Sequence, residues 1–117
     1  MKHELFPIRE LAPGGMRSVD VDGVAIVVIR TLDDTLHALR DACSHQGARL
    51  SRGRLKPVVL GPDVGRYRLL KNKLVLCCPW HEFEFELETG RCVADPKHHR
   101  VRAYQVEVED DTVVLYR

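Results

Sequence analysis

The sequence predicts an all-β chain, and three observations carry that expectation. From His81 to Glu88 apolar and acidic residues alternate without a break: Phe83, Phe85 and Leu87 fall on one face, and Glu82, Glu84, Glu86 and Glu88 on the other. That strict period of two belongs to a half-buried strand. Asp22-Gly23 stands between Met16–Val21 and Val24–Arg30, a hairpin signal. The rest of the chain is mostly short apolar or β-branched runs separated by turn residues.

Taken in order, Pro13-Gly14-Gly15 is a turn, and Val24 to Arg30 (VAIVVIR) is a buried strand. Residues 31–40 fit two templates. Thr31 could cap a helix with Leu32, Leu36 and Leu39 on one face, or Asp33-Asp34 could turn the chain into a strand from Thr35 to Arg40. The β character on both sides favours the strand. Residues 55–66 hold two Pro and two Gly and are expected to form a loop. Arg68–Leu70 and Leu74–Cys77 are expected to pair as a hairpin across Lys71-Asn72-Lys73. Thr89-Gly90 ends the acidic strand. Val101–Val108 and Thr112–Tyr116 form a last hairpin over Glu109-Asp110-Asp111.

A chain of 117 residues with 44% hydrophobic content suits one domain with its own core. A net charge of +1 argues against wrapping nucleic acid or coating an anionic membrane. The charge is uneven, however. Between Arg49 and Lys73 stand eight basic residues (Arg49, Arg52, Arg54, Lys56, Arg66, Arg68, Lys71, Lys73) against one acid, Asp63. These are either solvated loop and strand faces or a basic docking patch for an acidic partner. The N-terminus has no apolar signal core, and the longest apolar run, Val24 to Ile29, is too short to span a bilayer. A cytoplasmic location follows as the expectation, and there clustered Cys are more often metal ligands than disulfides.

Cys43-Ser44-His45 and Cys78-Pro79-Trp80-His81 each pair one thiol with one imidazole in a segment rich in loop formers. Two such loops could converge on a metal. Two thiolates and two imidazoles could hold tetrahedral zinc. Zinc fingers, though, usually put both Cys in one knuckle and both His in the other. One Cys and one His per loop suits a binuclear iron site, with the thiolates on one iron and the imidazoles on the other.

Two longer motifs surround these residues. Cys-x-His-x-Gly-x-x-Leu (Cys43, His45, Gly47, Leu50) resembles the first cluster loop of Rieske proteins, and Cys-Pro-Trp-His-x-Phe-x-Phe-x-Leu-x-Thr-Gly (Cys78 to Gly90) resembles the second. The nearest resemblance is to Rieske ferredoxins and the Rieske domains of ring-hydroxylating oxygenases. It implies one [2Fe–2S] cluster bound by Cys43, His45, Cys78 and His81, with both His at the solvent edge where electrons pass. It also implies a single domain over 1–117 with the Rieske fold: antiparallel sheets, and a cluster-binding subdomain at about 41–95 inserted in a base made of 1–40 and 96–117. Respiratory Rieske proteins add a bridged Cys to each loop. Here Gln46-Gly47-Ala48 and Trp80 stand in those regions, so the expectation is a low-potential, oxygenase-type centre. Rieske centres span roughly −150 to +300 mV, against about −400 mV for four-cysteine ferredoxins, because neutral imidazoles replace two thiolates.

The chain departs from the family pattern at Glu82, where Gly is usual, at Ser44, where Pro is common, and in the long stretch between His45 and Cys78. Cys77 and Cys92 read as buried small hydrophobes, His98-His99 as a surface pair, and Trp80 as a shield over the loop.

The functional expectation is a small soluble electron carrier, receiving an electron from a reductase and passing it to a terminal oxygenase. The alternatives are a Rieske subunit of an oxygenase or nitrite-reductase-like complex, and a structural zinc or redox-sensing module. An oxygenase's mononuclear iron needs two His and a carboxylate in a further large domain, for which this chain has no room. It is therefore expected to be an electron-transfer component rather than an enzyme alone.

Overall fold

The structure is a computed structural model and describes residues 1–43, 48–59, 69–79 and 83–117. Among the described residues, nine strands and two 3-10 turns follow one another: β1 (Lys2–Pro7), η1 (Ile8–Glu10), β2 (Met16–Val21), β3 (Val24–Arg30), β4 (Leu36–Arg40), η2 (Leu50–Arg52), β5 (Arg54–Val59), β6 (Leu69–Cys77), β7 (Glu84–Glu86), β8 (Ala103–Glu109) and β9 (Thr112–Tyr116). They form an antiparallel six-stranded sheet in the order β1-β9-β8-β4-β3-β2 and an antiparallel three-stranded sheet in the order β5-β6-β7. The smaller sheet is thus inserted in sequence between β4 and β8. No described helix is long and apolar enough to cross a membrane.

β3 explains how the two sheets are joined. Ile26, Val27, Val28 and Ile29 are all fully buried, so both faces of this strand are covered. Its odd residues, Val27 and Ile29, join Leu39 of β4 in a core with Leu50, Leu76, Phe85, Leu87, Cys92 and Val101. Its even residues turn the other way. Val28 packs with Phe6, Leu11 and Val113, and Ile26 with Val21, Ala38 and Leu115. Because a one-residue slip would exchange these two sets, the β2–β3 register of Met16 opposite Ile29 through Val21 opposite Val24 is strongly fixed. The two edge strands of the large sheet both feed the second pair of clusters, so that sheet is curled. Arg30 helps hold the curl by donating to the Leu11 carbonyl at 2.7 Å, and Arg17 lies 4.4 Å from the Phe6 ring centre.

The Asp22-Gly23 hairpin forms as expected, with Asp22 at φ 52° and Gly23 at φ 82°. The last hairpin turns on Asp110 and Asp111, at φ 50° and 63°. Residues 36–40 are strand, which settles the helix-or-strand ambiguity. Three expectations are corrected. The loop expected at 55–66 begins as strand β5. Pro57 is tolerated there because β5 lies at the edge of its sheet, where one row of backbone groups has no ladder to join. The hairpin expected across Lys71-Asn72-Lys73 is one continuous strand, β6, whose partners are β5 and β7. The turn-forming residues lie in an irregularity, where the register runs from Leu69 opposite Val59 to Leu74 opposite Pro57. The acidic strand is only Glu84–Glu86, its chain turning from Leu87 onwards, although Phe85 and Leu87 are buried as the alternation requires. The remainder of the 55–66 segment, from 60 on, lies outside the described residues.

Candidate metal centre

The two Cys-His segments follow the ends of β4 and β6, and one backbone device closes both. The Cys43 N–H donates to the Ala48 carbonyl at 2.7 Å, and the Cys78 N–H donates to the Phe83 carbonyl at 2.7 Å. Each bond joins a residue to the fifth one after it. Each therefore pinches off a short loop with a Cys at its mouth and, by sequence, a His inside. His45 and His81 lie outside the described residues, as do Trp80 and Glu82.

Both candidate thiols lie in the same core. Cys43 is 3% exposed and Cys78 1%, and both belong to the core built on Leu50, Leu76 and Phe85. Cys77 and Cys92 are buried too, as expected of small apolar side chains, and none of the four is in a disulfide.

Asp41 anchors the first loop. Its carboxylate is fully buried and accepts from the Ser18 hydroxyl of β2, the Ser51 N–H and the Ser51 hydroxyl, each at 2.7 Å. The Arg49 guanidinium lies 3.6 Å away. Burial pushes the carboxyl pKa up and is the largest single influence. The two hydroxyls, the Ser51 N–H and Arg49 together outweigh it and hold the group below the usual carboxylate value. One side chain thus ties the stem of the first loop to β2 and to the turn that follows the loop.

That following turn, η2, leads to the second loop. Gly53 comes next, and a Cβ placed on it would sit 1.8 Å from the Cys77 carbonyl oxygen. Only a residue without a side chain lets the backbone approach so closely. Arg54 then pairs with Cys77, the last residue before Cys78. The segment leaving the first loop is therefore laid against the stem of the second.

A third segment, around the buried Cys92 and the His98-His99 pair expected at the surface, completes the surroundings. Cys92 donates its N–H to the His99 carbonyl, and Val93 donates to Glu84. The half-buried His99 ring stacks on Phe83 with centroids 5.5 Å apart, so only His98 of the pair is a simple surface residue. His98 bonds Asp95 at 2.8 Å. Beside the second loop lies an open hollow of about 260 Å³ lined by Arg52, Gly53, Arg54, Cys77, Cys78 and Pro79.

The donor chemistry fits an iron–sulfur group. Soft thiols stand at the mouths of two closed loops in a water-excluding core, with an imidazole supplied by the sequence of each loop.

Comparison with known proteins agrees. The 3-phenylpropionate/cinnamic acid dioxygenase ferredoxin subunit of Photorhabdus laumondii is 26% identical over 108 residues, covering 92% of this chain and 87% of that one. Apoptosis-inducing factor 3 of Mus musculus is 28% identical over 108 residues. That match takes in 92% of this chain but spans only 15% of the relative's length. Among solved structures, the ferredoxin of carbazole 1,9a-dioxygenase from Nocardioides aromaticivorans superposes with a TM-score of 0.74 at 27% identity, covering 98% of this chain and 96% of that one. The family profile of the Rieske [2Fe-2S] domain matches residues 1–105, and the chain belongs to that family.

Proposed function

We propose that this protein is a small one-electron carrier that delivers electrons to an oxygenase. Cys43, His45, Cys78 and His81 would hold a [2Fe–2S] cluster, the thiolates on one iron and the imidazoles on the other, in a cluster-binding unit of about residues 41–95. The observation that carries this reading is the pair of identically closed loops, each opening on a Cys that reaches the same core. Such a cluster would supply a one-electron couple. The chain's own part is to hold it. The closed loops fix the ligand positions, and Leu50, Leu76 and Phe85 exclude water behind the thiolates. His45 and His81, which follow these Cys in the sequence, would complete the ligand set.

The oxygenase assignment rests on relatives that are dioxygenase ferredoxins over nearly their whole length. With no Cys among Gln46, Gly47 and Ala48 or at Trp80, the loops lack the bridge of high-potential members, which favours the lower part of the Rieske range.

The test is electron paramagnetic resonance of the anaerobically purified, dithionite-reduced protein, with iron and sulfide assays. A rhombic signal of low average g with equal iron and sulfide is expected. A colourless, silent protein containing zinc would overturn the reading.

A further inference from the structure

The charges divide unequally between the two parts of the fold. Residues 41–102, which include both ligand loops and the small sheet, hold twelve Lys and Arg against seven Asp and Glu, a net +5. The rest of the chain holds six against ten, a net −4. By sequence, the near-neutral whole divides into a net-positive segment and a net-negative remainder.

Within residues 41–102, some cations are already engaged. Arg49 lies against Asp41, and Lys56 pairs with Glu84 at 3.2 Å. Arg52 and Arg54 are different. Both are exposed, and neither forms an ion pair with any described residue. They line the same open hollow as Cys77, Cys78 and Pro79. A guanidinium presents a planar fork of donors that matches a carboxylate. Two of them at the stem of a ligand loop make a socket for acidic side chains beside the proposed cluster-binding loops.

We propose that Arg52 and Arg54 form the centre of a docking face for an acidic surface of a redox partner protein. This deepens the electron-carrier reading and rests on it. The two guanidiniums steer and orient the encounter, so that the partner's carboxylates enter the hollow beside the ligand loops rather than meeting the base.

Two measurements on the purified holoprotein test this. In the first, the reduced protein is oxidised by ferricyanide, an anion, or by hexaamminecobalt(III), a cation. One electron leaves the protein and one oxidant ion is reduced, with no bond made between them. Ferricyanide should slow as salt is added and hexaamminecobalt(III) should speed up. At about 10 mM ionic strength, where screening acts over roughly 30 Å, Arg52→Glu should slow ferricyanide about tenfold. Arg9→Glu, the same charge change on η1 of the base, should stay within about twofold. Equal effects at the two positions, or none at Arg52, would overturn the proposal. Arg52→Gln gives the same sign with less perturbation.

The second measurement does not use the redox couple. Fluorescence anisotropy of a labelled decaglutamate peptide should report salt-sensitive binding that Arg52→Glu with Arg54→Glu weakens at least tenfold. Binding unaffected by those changes, or a labelled decathymidylate binding more than tenfold tighter, would overturn it. If the protein proves to hold zinc yet the peptide binds through Arg52 and Arg54, the electron-carrier reading falls and the acidic-partner face stands.

Discussion

Replacing Asp41 by Ala removes a fully buried carboxylate that serves three donors and one cation at once. The loss is unequal among them. The Ser18 and Ser51 hydroxyls can rotate towards other acceptors, and Arg49, whose side chain is 54% exposed, returns to water. The Ser51 N–H cannot rotate away. An unsatisfied buried donor costs about 1–3 kcal/mol, and a hydrogen bond to a charged group contributes about 1.5–3 kcal/mol. Allowing for the hydroxyls' recovery, the variant should lose roughly 3 kcal/mol, a large share of the 5–15 kcal/mol typical of a domain. That corresponds to a fall in Tm of roughly 10 °C. Asp41→Asn keeps an oxygen for the Ser51 N–H and should cost only about 1 kcal/mol. Urea unfolding followed by circular dichroism gives both values. Absorbance of the held protein over hours shows whether loosening the Cys43 loop speeds loss of the cofactor, as it should in the Ala variant. A loss below about 0.5 kcal/mol for Asp41→Ala would refute the view that this carboxylate anchors the loop.

Gly53→Ala should cost about 2–3 kcal/mol and reduce cofactor retention, because the new Cβ meets the Cys77 carbonyl and something must shift. Gly23→Ala has open space and pays only for its φ of 82°, so a smaller loss, about 1 kcal/mol, is expected in the same unfolding assay. Burial holds the His37 pKa below its ordinary 6.5, with Glu88 and Asp33 opposing weakly. The unfolded chain therefore takes up the proton first: His37 contributes stability above about pH 6.5 that is lost as pH falls towards its folded-state pKa. Urea midpoints at pH 7.5 and 5.5 should drop more for the parent protein than for His37→Gln, and equal drops would count against it. Cys78→Ala should abolish visible absorbance while Cys77→Ala keeps it, and the reverse would exchange the ligand assignment between these neighbours.

The strands that read clearly in the sequence are those whose burial pattern is local. β2 and β3 flank an Asp-Gly turn, and β9 follows a two-Asp turn, so pattern and turn chemistry agree. β1 was not legible, since Lys2–Pro7 holds little apolar material and is a strand because β9 offers it an edge. β5 and β6 misled for a related reason. Pro57 and Lys71-Asn72-Lys73 carry turn chemistry, but long-range pairing absorbs the first at an edge and the second in an irregularity. At the centre itself the Cys and His spacing was enough to name candidates. What spacing could not show is what holds the loops: Asp41, Gly53 and the His99–Phe83 stack. Gly53 left no sign, because the strand it precedes was expected as loop, and Asp41 left none, because its partners Ser18 and Ser51 are 23 and 10 residues away.

The β5–β6 ribbon also bears on the long stretch between His45 and Cys78. Arg54 and Cys77 are paired at the ribbon's end beside the loops, and Val59 and Leu69 are paired at the other. Five residue steps of strand put the second end about 17 Å from the first. The chain between Val59 and Leu69 thus joins the ribbon at the end remote from Cys78, so its length does not set the spacing of the ligand loops. Doubling such a connection costs only about 0.6 kcal/mol in closure entropy. That tip is accordingly the point at which a fusion partner, affinity handle or reporter could be spliced into this protein with the metal-binding geometry left alone.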